Sequence, residues 1–396
     1  MNRLVILFIG FVTAFAFPAT LARLSEIPFF ADIYFDIVFV GFVGLSLLNL
    51  VLVLKAPLPE RPLAVLLLTF ILLIFAIGVL RGTDDPVGGL RFFALPLVAY
   101  LVLIGRNFLL FFLTSKRFWN IVLIIHIVGL SIYFSGLLGR VYPGIGVQSI
   151  AYAALFFLAN GHPVLFLLSL VIIFFEGKRS ILLSVLITIV FMKLINFSVA
   201  GRFFYSIFAG ILATLLLIAF LYGVAGIEGS TTIARINYIN PFSNSFDLYL
   251  GSSGRFGELV SFWDGKSASE VILGSGSGFS YIWDLGFASS QSGELKGYLH
   301  MSIANYLAVG GIIGLALFMY LAVLPFKAGL INWHPRVRST AFGFGMFSIV
   351  QSFFGFSLAT DALSLIFIIG PAALAGVQTY RSKSPSKSLE FQQGIA

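Results

Sequence analysis

His300, Arg255 and Arg179 are the side chains of this chain best suited by type and position to chemistry. A histidine titrates near neutral pH, so it can take a proton from a hydroxyl, a weak nucleophile until a base activates it. Arginine stays charged at any working pH and presents a planar fork that grips phosphate oxygens two at a time. Glu258 follows Arg255 by one helical turn and is expected to orient it as an i,i+3 pair. Arg140, Lys178 and Arg91 are further cations for an anionic ligand, and Trp263 is either an interfacial anchor or a platform for a sugar ring. Each also has an ordinary explanation: a cation at a helix end snorkels to lipid head groups, and His300 caps the helix that follows. His126 falls in the middle of an apolar segment and is read as a packing residue.

These residues must be positioned by membrane segments. Hydrophobic residues make up 59% of the 396, Phe alone contributes 45, and only 10% are charged, far from the balance of a soluble domain. Apolar runs long enough to cross about 30 Å of hydrocarbon fall near 4–22, 36–54, 62–80, 90–105, 118–138, 147–161, 163–177, 180–195, 203–227, 301–325, 340–358 and 362–379. The sixth and seventh are short and separated only by Asn160-Gly161-His162-Pro163, so they read equally as one interrupted helix or a re-entrant pair. The expected fold is therefore all-α, a polytopic transmembrane bundle of about 10–12 helices.

Four regions follow: an N-terminal bundle at 1–227, a large loop at 228–300, C-terminal helices at 301–380 and a Ser- and Lys-rich disordered tail at 381–396. Lys55, Arg61, Arg106, Lys116, Arg117, Lys193, Arg202, Lys327, Arg336 and Arg338 fall on one side, with Arg381, Lys383 and Lys387 in the tail. That side is expected to be cytoplasmic, with both termini and with His162 and His334. The 228–300 loop and His300 then face outward, which in a bacterium is the periplasmic face of the inner membrane. The first apolar run is read as an uncleaved helix, because it is long for a signal peptide. The net charge of +8 is dispersed over helix ends, which argues against nucleic acid, and the absence of Cys removes thiol chemistry and disulfides.

Within the loop, a short helix from Arg255 is expected to lay Phe256, Leu259, Val260 and Trp263 on one face, against the membrane surface or the bundle. Gly274-Ser275-Gly276-Ser277-Gly278 reads as a flexible hinge. Asp247, Asp264, Glu270, Asp284 and Glu294 read as solvated loop charges, and 107–114 as an interfacial helix.

Four motifs, in order, resemble the O-antigen ligase and O-antigen polymerase family of membrane glycosyltransferases. They are Gly177-Lys178-Arg179-Ser180-Ile181-Leu182-Leu183 at a helix start; Ser253-Gly254-Arg255-Phe256 with Trp263 downstream; Gly274-Ser275-Gly276-Ser277-Gly278-Phe279; and His300 eleven residues before Gly311-Ile312-Ile313-Gly314. The resemblance covers residues 140–325. Met301 stands where the family often has Asn, Gly310 where it often has an acid, and Lys178-Arg179-Ser180 where it has Ser-Arg-Gly.

The resemblance implies transfer of a glycan from a polyprenyl diphosphate to an acceptor hydroxyl, inverting and without a cofactor. His300 would be the general base, and Arg255 and Arg179 would stabilise the leaving diphosphate, a role worth roughly 2.7–4 kcal/mol per preorganised donor. Arg140, Lys178, Arg91, Glu258 and Trp263 would contact substrate. No His and carboxylate cluster on the outer face has metal-ligand spacing, so arginines are expected in place of a divalent ion. The implied partners are the lipid-linked donor, the acceptor glycan, membrane lipid and a chain-length regulator. With Met301 in place of Asn, a polymerase is favoured over a ligase that transfers to lipid A core. A transporter or flippase of lipid-linked glycan is the competing class, though no internal repeat or run of mid-span charges marks one.

Overall fold

The computed structural model describes residues 61–86, 89, 107–135, 148–175, 179–194, 238, 240–244, 246–247, 255–264, 266–283, 295–296, 299–329, 334–354, 364 and 367–371. These are mostly helical, as expected of an all-α chain. The helices are α1 (Arg61–Arg81), α2 (Asn107–Thr114), α3 (Lys116–Ser135), α4 (Gln148–Ala159), α5 (Pro163–Phe175), α6 (Arg179–Leu194), α7 (Arg255–Trp263), α8 (Ala268–Leu273), α9 (Ser302–Gly329) and α10 (Pro335–Phe354). An antiparallel ribbon of β1 (Tyr281–Ile282) and β2 (Leu295–Lys296) pairs Tyr281 with Lys296 and Ile282 with Leu295. The runs at 4–22, 36–54, 90–105 and 203–227 lie outside the described residues. Among those described, one helix is both long and apolar enough to cross a membrane by itself, α9 over Ser302–Lys327.

The chain divides into two units, one of Met1–Leu72, Arg91–Met192 and Leu317–Ala396, the other of Leu73–Leu90 and Lys193–Ala316.

In the first unit α4 is the central element, with every residue from Ile150 to Phe157 buried and with α3, α5 and α10 packed on it. Ala151, Ala153 and Ala154 let those neighbours approach closely. Tyr152 stands among Phe344, Phe347 and Phe367 and shares its hydroxyl with Ser348 (2.7 Å) and Ser364 (2.9 Å). His126 is buried with Nε2 2.8 Å from Ser149 Oγ, the packing role its position suggested.

Asn160-Gly161-His162-Pro163 separates two helices and does not interrupt one. His162 N donates to Phe157 O and Gly161 N to Leu158 O, the paired bonds that end a helix when the next residue takes a left-handed conformation, here Gly161 at φ 75°. Pro163, with φ already fixed, then opens α5. His162 is pushed below its ordinary pKa by burial and by the charges of Lys116 and Arg336. Lys116 at the start of α3 and Arg336 at the start of α10 therefore lie near His162 at one end of this unit.

In the second unit the Gly-Ser segment is a fixed packing element, which corrects the hinge reading. Ser275 N donates to Ala308 O (2.7 Å), Gly276 N to Val309 O (3.1 Å) and Ser277 N to Ile74 O (2.8 Å). Gly274, Gly276 and Gly278 take φ of 84°, 80° and 75°, where L side chains are strained. A Cβ at Gly276 would overlap the backbone of Gly78, and one at Gly274 that of Val309. Gly311 completes the arrangement: it breaks α9 at φ 56°, ψ −141°, and its bare Cα lies against Ile272 and Gly274. The glycines serve close backbone approach, a use that sequence spacing does not distinguish from flexibility.

Candidate active site

Helix α7 supplies the buried acid. Glu258 lies in its first turn, where the helix N-terminus favours a negative charge, and is 1% exposed. The face turned into the protein carries Glu258 and Phe262; Val260 is exposed and Leu259 and Trp263 are half-buried. Of the face expected to meet the membrane surface or the bundle, Val260, Leu259 and Trp263 are thus exposed or half-buried, and the Phe256 side chain lies outside the described residues. The reason is the neighbourhood of β1: Phe262 packs edge-on against Phe279 (5.1 Å) and Tyr281 (5.6 Å), and Tyr281 reaches past it to Glu258.

Three donors converge on the Glu258 carboxyl. Tyr281 Oη donates to Oε1 at 2.9 Å, His300 Nδ1 to Oε1 at 2.8 Å, and the His300 backbone N–H to Oε2 at 3.0 Å. That is the surrounding an acceptor-only carboxylate requires once it is out of water. The i,i+3 pairing of Glu258 with Arg255 is therefore corrected: the Glu258 oxygens are committed to Tyr281 and His300, and the Arg255 guanidinium feels Glu258 only as a nearby charge. Burial lowers the Arg255 pKa while Glu258 opposes the shift, and the group stays protonated at any working pH.

His300 sits in the turn before α9, held from below by Asn305. The buried Asn305 amide accepts from Leu299 N at 2.9 Å and donates to Met301 O at 3.1 Å and to Leu299 O, so the backbone of the residues on either side of His300 is held. The imidazole ring tilts against Trp283, centroids 5.5 Å apart, and the His300 side chain is 34% exposed. With the Nδ1 proton given to Glu258, the lone pair lies on Nε2. A carboxylate behind one ring nitrogen fixes the tautomer, holds the ring and stabilises the imidazolium formed when Nε2 takes a proton.

The structure thus joins His300 to Glu258 and places Arg255 one turn before that acid on the same helix. Trp263 ends α7 with its ring edge-on to Phe262 at 4.9 Å. Arg179 is the first residue of α6 in the other unit, as the helix-start motif predicts, while its side chain and residues Arg140, Lys178 and Arg91 lie outside the described residues. Sequence reasoning missed Tyr281, Trp283 and Asn305. Only Asn305 left a trace, a lone amide in the first turn of an apolar helix.

The expected solvated charge at Glu270 is instead a cap. Ser267 and Glu270 form a reciprocal capping box at the start of α8, with Lys266 Nζ 3.1 Å from Glu270 Oε1. The Ser267 backbone bond is the largest cause holding the Glu270 carboxyl down at about 2. Among the described residues no three His, Asp or Glu side chains converge as metal ligands. No protein-family model matches the chain, and no curated protein matches it.

Proposed function

We propose that this chain is a membrane glycosyltransferase of the polysaccharide polymerase type. It transfers a glycan from a polyprenyl-diphosphate carrier to a hydroxyl of a lipid-linked acceptor glycan at the periplasmic face, with inversion and without a metal ion. The observation that carries this reading is the buried Glu258 behind a part-exposed His300, a carboxylate–imidazole pair built to accept a proton. The acceptor O–H proton passes to His300 Nε2 while its oxygen bonds to the anomeric carbon. The C–O bond to the diphosphate breaks, and the leaving oxygen departs with the electron pair. Arg255 holds the charge that develops there, a role the helix-start motif also assigns to Arg179, and Glu258 holds the charge on His300.

A polytopic membrane bundle is supported by helices that turn apolar side chains outward. Helix α5 has no charged residue and exposes Val164 (75%) and Phe174 (68%). Leu72 and Leu80 on α1, Ile121 and Ile124 on α3, and Met319 and Val323 on α9 are also exposed, as helices facing lipid require. The gathering of Lys116, His162 and Arg336 at one end of the first unit supports that end as cytoplasmic. The test is purified protein in sealed proteoliposomes, supplied with lipid-diphosphate-linked repeat units first alone and then together with lipid A core. Products that lengthen with time support polymerisation; a single addition to lipid A core makes the enzyme a ligase; movement of intact donor without bond transfer makes it a flippase.

A further inference from the structure

A cavity of about 430 Å³ opens in the second unit beside the Gly-Ser segment, within the roughly 300–1,000 Å³ of small-molecule sites. Arg81, Asp84, Lys266, Glu270, Ser275 and Phe279 are among its walls. The charges balance. Lys266 and Glu270 neutralise each other at 3.1 Å, leaving one guanidinium and one carboxylate, with the Asp84 carboxylate 3.4 Å from the Ser280 hydroxyl. Ser275 is 5% exposed, and its buried Oγ has no hydrogen-bond partner among the described residues. A buried hydroxyl in that state is destabilising until something supplies its bond.

The walls select against an anion. The backbone N–H groups of Ser275, Gly276 and Ser277, which could have cradled a phosphate, donate to the carbonyls of Ala308, Val309 and Ile74. With Lys266 already paired to Glu270 and Asp84 offsetting Arg81, no net positive charge is left to hold an anion. Donors and acceptors in similar number, three hydroxyls at Thr83, Ser275 and Ser280, and a ring at Phe279 fit a neutral, hydroxyl-rich molecule with a C–H face.

We propose that this cavity is a saccharide subsite. Phe279 at its wall stacks on Tyr281 with planes 18° apart and centroids at 6.4 Å, and Tyr281 bonds Glu258, so two aromatic rings in series link the cavity wall to the carboxylate–histidine pair. That the sugar is a unit of the glycan under transfer rests on the polymerase reading; that the cavity holds a sugar does not.

The test has two arms, both on the full chain in detergent. Saturation-transfer NMR with neutral trisaccharides of glucose, mannose and N-acetylglucosamine, and with inorganic diphosphate as the anionic probe, reads the cavity directly. At least one sugar binds, Asp84→Asn and Ser275→Ala each weaken it about tenfold or more, and His300→Ala leaves it unchanged. Binding of none of the three, or equal binding by wild type and both variants, overturns the subsite, as does displacement of the sugar by diphosphate. Asp84 is exposed, so Asp84→Asn keeps the test standing should Ser275→Ala misfold. In the second arm, the KM for lipid-linked repeat units rises in both variants. Polymerisation with an unchanged KM sinks the subsite and leaves the enzyme; sugar binding without any transfer sinks the enzyme and leaves the subsite.

Discussion

Replacing Glu258 with Gln tests the tautomer argument with almost no change in shape. The amide has one oxygen where the carboxylate has two, yet three donors point at this site: Tyr281 Oη, His300 Nδ1 and the His300 backbone N–H. If the amide oxygen takes the Oε1 place, its NH₂ meets the His300 backbone N–H, donor against donor. If it flips, the oxygen accepts the backbone N–H, and the NH₂ donates to the Tyr281 oxygen and to Nδ1. The flipped form satisfies the backbone N–H and Nδ1 and takes from the Tyr281 O–H only its bond to residue 258, so Glu258→Gln folds with a loss of about 1–3 kcal/mol. Satisfaction has a chemical consequence, because Nδ1 must now carry the lone pair and Nε2 the proton. The base is then lost while the ring stays in place, and kcat should fall about 10²–10⁴-fold. Single-turnover transfer from a lipid-linked donor, with thermal unfolding measured on the same preparation, separates the two effects. Full turnover by a folded Glu258→Gln protein would refute the role of Glu258 in setting the tautomer.

Two glycines with the same sign of φ should differ. Gly276→Ala puts a methyl into the Gly78 backbone and should destabilise the protein by about 3 kcal/mol or more, whereas Gly82→Ala, at φ 64° with open space around it, should cost about 1–2 kcal/mol; thermal midpoints compare them. Arg255→Lys and Arg179→Lys keep the charge and lose the planar fork, so transfer should drop about 10²-fold or more at normal expression, with Lys178→Ala milder; near-normal activity in both Arg→Lys variants would make them lipid anchors. The Glu270 carboxyl, held at about 2 against an ordinary 4.5, stabilises α8 fully above pH 4.5 and loses that contribution as pH falls towards 2. Amide exchange in residues 268–273 should therefore differ between wild type and Glu270→Gln at neutral pH and converge in acid; a difference that persists in acid would show that the cap does not act through the carboxylate.

Much of the scaffold was legible because apolar runs bounded by Pro, Gly and charge carry a local signal. The runs near 118–138, 163–177 and 301–325 appear as α3, α5 and α9, and the weak 147–177 region separates into α4 and α5 at a Gly that favours a left-handed turn. Side-chain chemistry and motif order singled out His300 and Arg255, which the structure places in the turn before α9 and at the start of α7. The partner of Glu258 was not: an i,i+3 neighbour was the local choice, and the real one lies 42 residues away, brought there by a two-stranded ribbon too short to show periodicity. The Gly-Ser segment was misread for a related reason. Glycine permits both motion and close packing, and only the helices seated against Gly274 and Gly276 decide between them.

The most direct measurement compares wild type and His300→Ala for donor binding and for transfer, on purified protein with a lipid-diphosphate-linked repeat unit as sole substrate. A general base acts on the step and leaves the bound donor alone, so the variant should bind donor as wild type does and transfer it about 10²–10⁴-fold more slowly. Full turnover by His300→Ala, or loss of donor binding equal to the loss of rate, would contradict a base at His300.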